Sequence, residues 1–146
     1  MRTLLASLSL LVLGPQPASS QPAAVPAAVP AAVPTHAARN DALRRALLAL
    51  DVSPLTPRVL KAAQSAYLEA HGALAAYLQG KPTRRGAPSP VELRALLDPS
   101  AGAFVVVRGT LWLRPEHHER MARAARALKD ERLAKAHENA AEASRP

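Results

Sequence analysis

The chain has 146 residues, 19 Lys and Arg against 11 Asp and Glu, a net charge of +8 and no cysteine. One domain is the most that this length allows, and disulfides, thiolate metal sites and cysteine nucleophiles are excluded. The excess of positive charge ranks anionic partners first: acidic proteins, acidic polymers or an anionic envelope surface.

Met1-Arg2-Thr3 makes a short positive start, LLASLSLLVLG is an apolar run of signal-peptide length, and PQPASS ends in small residues. Gly14 and Pro15 interrupt the run well before the roughly 20 apolar residues of a membrane span. Residues 1–20 are therefore expected to be a cleaved signal peptide, with Ala18 and Ser20 before the cut and a periplasmic or secreted product. Export keeps the chain away from nucleic acid, which is not expected as a partner.

PAAVPAAVPAAVP follows, with proline at every fourth position. Each proline removes an N–H donor, fixes φ and pushes the residue before it towards extended backbone, so residues 21–38 read as a Pro/Ala-rich linker. Residues 39–146 are expected to form an all-α domain of four to five helices, small and elongated.

In NDALRRALLAL, Leu43, Ala46, Leu47 and Leu50 recur at helical spacing, and Asn40 or Asp41 can cap the start. Leu55-Thr56-Pro57 opens the next helix, because Thr is a good N-cap and Pro at the first helical position lacks only an N–H that would be unpaired there. Its stripe of Leu60, Ala63, Tyr67, Ala70, Leu74 and Tyr77 ends at Gly80. KPTRRGAP is a basic turn-rich loop, and Ser89-Pro90-Val91-Glu92 is a capping box that opens a short helix ending at Leu97.

Residues 104–113 are ambiguous. Val105, Val106, Val107 and Thr110 favour strand, and Arg108-Gly109 can turn a hairpin. Phe104, Val107 and Leu111 also satisfy helical spacing, and a lone hairpin with no sheet to join is marginal, so helix is the favoured reading. From Pro115 to Ser144 the chain is rich in Ala, Glu, Arg and Lys and free of Gly and internal Pro, which predicts one long helix. Its apolar stripe of Met121, Ala124, Ala125 and Leu128 is thin and fades after Leu133, so the far end is expected to project into solvent or against a partner.

No Gly-rich phosphate loop, serine nucleophile elbow or HExxH motif occurs, so neither enzyme activity nor a cofactor is expected. His117 and His118 are adjacent and point about 100° apart on a helix, which does not suit a shared metal. His137 lies far along the same predicted helix, and His71 sits beside a core stripe. The candidate binding residues are Arg120, Arg123 and Arg126 beside Met121 and Leu128: a weak apolar strip flanked by cations suits transient capture of unfolded or acidic proteins.

Leu55-Thr56-Pro57-Arg58-Val59 and Leu113-Arg114-Pro115-Glu116-His117 resemble the paired LTxxQ motifs of the Spy/CpxP family of exported bacterial proteins. The first copy has Val59 where the family has Gln, and the second has Arg114 for Thr and His117 for Gln. The resemblance implies a helical, cradle-like homodimer that binds unfolded or stress-related proteins without ATP on a basic, partly apolar face. A structural or adaptor domain of the envelope and a metal-responsive helical sensor are the alternatives.

Overall fold

A computed structural model describes residues 34–81 and 88–146, so the expected signal peptide and most of the linker lie outside the described residues. Helix α1, His36–Val52, begins inside the stretch read as linker, three residues before the expected domain start at 39. The reason is local: the Thr35 hydroxyl accepts from the Ala38 N–H at 3.2 Å, so Thr35 and not Asn40 or Asp41 is the cap, and Asn40 is buried. Leu43, Leu47 and Leu50 form the buried stripe, which packs on α2, Pro57–Leu78.

Thr56 caps α2 by accepting from the Val59 N–H at 3.3 Å, and Leu60, Ala63, Ala70 and Leu74 are buried as their spacing predicts. The helix is followed by Gly80 at φ +66°, a backbone conformation that glycine adopts without strain. Helix α3, Pro90–Leu97, carries the full capping box: the Glu92 N–H donates to Ser89 Oγ at 3.2 Å, and the Ser89 N–H donates to Glu92 Oε2 at 2.7 Å.

The favoured reading of residues 104–113 as helix is overturned. They form an antiparallel hairpin of β1, Phe104–Val107, and β2, Thr110–Leu113, in the register Phe104↔Leu113 to Val107↔Thr110. Arg108 at φ 50° and Gly109 at φ 76° make the two-residue turn, since positive φ at both central positions matches the twist of the flanking strands. The hairpin holds because helices back it, not further strands. Phe104, Leu111 and Leu113 are buried, β2 packs on α2 and β1 on α3, and the His71 Nε2–H donates to the Leu111 carbonyl at 3.0 Å.

The single long helix is also corrected. Helix α4, Pro115–Ala127, and helix α5, Glu131–Ala143, are separated by a turn at Lys129, φ 63°, and pack against each other. The Asp130 N–H donates to the Ala125 carbonyl and the Lys129 N–H to the Arg126 carbonyl, both at 2.9 Å. This is a Schellman ending with lysine where glycine is usual. Asp130 then caps α5 by accepting from the Leu133 N–H at 3.0 Å. A thin apolar stripe cannot bury itself, so the chain folds back and covers Met121, Ala124 and Ala125 with Ala134, His137 and Ala141.

The molecule is therefore mostly helical, five helices and one small sheet among the described residues. No helix of the described residues is long and apolar enough to cross a membrane.

Candidate functional site

Two features stand out. The first is an open groove of about 530 Å³ between α1, the loop that joins α3 to β1, and the start of α4. Three guanidiniums reach it from separate elements: Arg44 from α1, Arg114 from the end of β2 and Arg120 from α4. Arg114 is fixed in place, with Nε donating to the Gly102 carbonyl at 2.9 Å and Nη2 to the Asp98 carbonyl at 3.2 Å. These are neutral acceptors, and the nearby Asp98 carboxylate, held by Ser100, is the acidic group that feels its charge. Arg120, half-buried, lies 2.7 Å from the exposed Asp51, which offsets its charge. Arg44 has no carboxylate within 4 Å among the described residues.

Glu116 is the acidic residue of the groove wall. Burial lowers the His117 pKa, and Arg120, Arg114 and Arg44 lower it further against the opposing pull of Glu116, as expected where cations converge. The Arg120 guanidinium donates to His117 Nδ1 at 3.3 Å. Leu48 lines the same groove with 56% of its surface exposed, and Val52, one turn further along α1, is 72% exposed. The N-cap of α4 has no side-chain hydrogen bond, so its positive dipole end is left free to add to the field here.

The second feature is internal. His118 of α4 and His137 of α5 are buried and face each other with their Nδ1 atoms 3.0 Å apart. The Tyr67 ring lies edge-on to His118 at 5.7 Å, to His71 at 5.7 Å and to His137 at 6.5 Å. Among the described residues no group of three or more His, Cys, Asp or Glu side chains is placed to hold a metal ion.

No protein-family model, curated protein or solved structure matches this chain. The two LTxxQ-like segments can still be placed by geometry. Leu55 packs partly against the core, Thr56 caps α2 and Pro57 is its first residue, whereas Leu113 is buried at the end of a strand and Pro115 opens α4 without a side-chain cap. Both segments start helices, and only the first does so through the hydroxyl that such a motif supplies.

The predicted binding residues separate. Met121 is 0% exposed and Leu128 packs against the core, so the apolar strip of α4 faces inwards. Arg126 is engaged by Glu138 and Glu131 of α5, and Arg123 is exposed on the outer side of α4. Arg120 alone of the five lines the groove. Sequence reasoning missed Arg44, Arg114 and Leu48, because nothing local joins positions that far apart. It also missed the His118–His137 pair, which exists only once the chain turns at Lys129; Asp130, a good cap residue in mid-run, was the available signal.

Proposed function

We propose that this chain is a non-catalytic helical binding protein that takes acidic segments of partly unfolded polypeptides into the α1–α4 groove, without nucleotide. The observation that carries this reading is the convergence of Arg44, Arg114 and Arg120 on one open groove with exposed Leu48 in its wall. Opposed to them are Asp51, Glu116 and Asp98, whose carboxylate accepts from the groove-lining Ser100 and feels Arg114, so Arg44, with no carboxylate within 4 Å among the described residues, is the cation left to meet an acidic segment. Charge of this kind speeds encounter and selects the sign of the partner, and an exposed leucine adds residence without demanding one shape. In this reading the binding surface is the groove, and the inward-facing strip of buried Met121 and partly buried Leu128 supplies its scaffold.

Arg44 is exposed and has no carboxylate within 4 Å among the described residues, so its charge can be reversed without disturbing packing. Binding of a fluorescent peptide of alternating Glu and Leu is expected to weaken about tenfold in Arg44→Glu, a change of about 1.4 kcal/mol. It should weaken likewise in wild-type protein as salt rises, since the Debye length is only about 3 Å at 1 M. Arg123→Ser, outside the groove, should leave binding unchanged. Equal binding by wild type and Arg44→Glu, or equal binding of a Lys-Leu peptide, overturns the reading. In the same protein, suppression of aggregation of an acidic client should follow the peptide affinities.

A further inference from the structure

Two neutral imidazoles whose Nδ1 atoms lie 3.0 Å apart hydrogen-bond only if one carries the proton and the other offers its lone pair. In the His118–His137 pair the remaining nitrogens, both Nε2, are buried with no partner. The donor ring therefore holds a bare Nε2 and the acceptor ring an unanswered Nε2–H, and both sit at the seam between α4 and α5.

We infer that the His118–His137 pair is a proton-operated latch: the neutral pair holds α5 against α4, and mild acid releases it. The first proton goes to the bare Nε2 of the donor ring. Its Nδ1–H can still donate, but the ring is now a buried cation. The second proton goes to Nδ1 of the acceptor ring, which sets two N–H groups against each other at 3.0 Å and ends the contact.

Nothing around the pair favours the charged form. From α2 it is faced by Tyr67, whose phenol burial keeps protonated, and by His71, whose Nε2–H is committed to the Leu111 carbonyl of β2. From α4 it feels His117. No carboxylate is among the groups acting on either ring. Burial first, then His137, His117 and His71, holds His118 down to about 4, and burial lowers His137 as well. No third ligand joins them among the described residues, so the geometry fits a proton and not a metal ion.

The sign follows from the folded values lying below the ordinary histidine value near 6.5. The latch is fully closed above that pH and weakens as pH falls from 6.5 towards 4, the closed-to-open ratio dropping about tenfold per pH unit for each histidine that titrates. His36 and His117 are lowered too, on α1 and α4, so global unfolding is not specific enough. The readout is amide hydrogen exchange of residues 131–143 compared with α2.

Between about pH 7.5 and pH 5, after correction for intrinsic rates, protection of α5 should fall at least about thirtyfold and that of α2 much less. The variant His118→Leu with His137→Leu should hold α5 protection level over the same range. Should that variant not fold, the wild-type imidazoles can be titrated by NMR in the folded chain. Unchanged α5 protection in wild type, or titration of both rings near 6.5, overturns the latch.

Discussion

Replacing Gly102 by alanine is expected to lower the thermal midpoint by about 15 °C, from a loss near 3 kcal/mol at about 4–8 °C per kcal/mol for a domain of this size. A Cβ at this position would stand 2.3 Å from the Leu96 carbonyl oxygen and 2.8 Å from that of Asp98. Both are backbone atoms at the end of α3, so no side chain can swing aside. The Gly102 N–H already donates to the Asp98 carbonyl at 2.6 Å, and its own carbonyl accepts from Arg114, so relief would move the loop that walls the groove. Peptide affinity should fall with stability. Gly72→Ala is the control of opposite sign: nothing lies within 4 Å of its Cβ, and alanine in mid-helix should stabilise by about 0.5–1 kcal/mol. Circular dichroism melts of both variants decide the matter, and a Gly102→Ala midpoint within a few degrees of wild type would show that the turn relaxes at little cost.

The second large effect is expected at Phe104, which is 1% exposed and heads the larger buried side chains. It stands opposite Leu113 in the hairpin, with its ring 6.3 Å from that of His71. Phe104→Ala removes most of the bulk by which β1 is held to the helices. The expected cost is about 3–5 kcal/mol, a large share of the total stability of an ordinary domain of about 5–15 kcal/mol. Val106, on the same strand and 44% exposed, should cost no more than about 0.5–1 kcal/mol when changed to alanine. Chemical denaturation measures both, and similar losses at the two positions would mean that the hairpin is not anchored through Phe104.

Much of the fold was legible where a few neighbouring residues decide the outcome. The starts at Thr56-Pro57 and Ser89-Pro90 are questions of how the first N–H groups of a helix are satisfied, and those partners lie within four residues; at Arg114-Pro115 it is the proline at the first helical position that marks the start. The hairpin was legible only as an alternative: the valines and Arg108-Gly109 announce it, but four-residue strands of this kind are stable only against helices brought from elsewhere in the chain. The turn at Lys129 was hidden by residue type: lysine in left-handed backbone is uncommon, and here the burial gained by α5 on α4 outweighs that cost. The candidate site inherits both errors. Arg114 takes its position from the end of β2, and the histidine pair depends on α5 folding back. Arg120, singled out in the sequence, does line the groove, although the strip assigned beside it faces the core.

The Lys129 turn also bears on the order in which the chain folds. It makes Pro115–Ala143 a helical hairpin whose partners are close in sequence, so little loop entropy opposes its closure, whereas α1 must meet α4 across a long stretch of chain. The C-terminal pair is expected to form first, and α1, which packs locally on α2, to close on α4 only afterwards. Kinetics would register this directly: Ala134→Gly should slow refolding, and Leu43→Ala should act mainly by hastening unfolding. On the proposed function, a groove walled by both α1 and α4 is complete only once these distant helices have met, so peptide binding should not precede their docking.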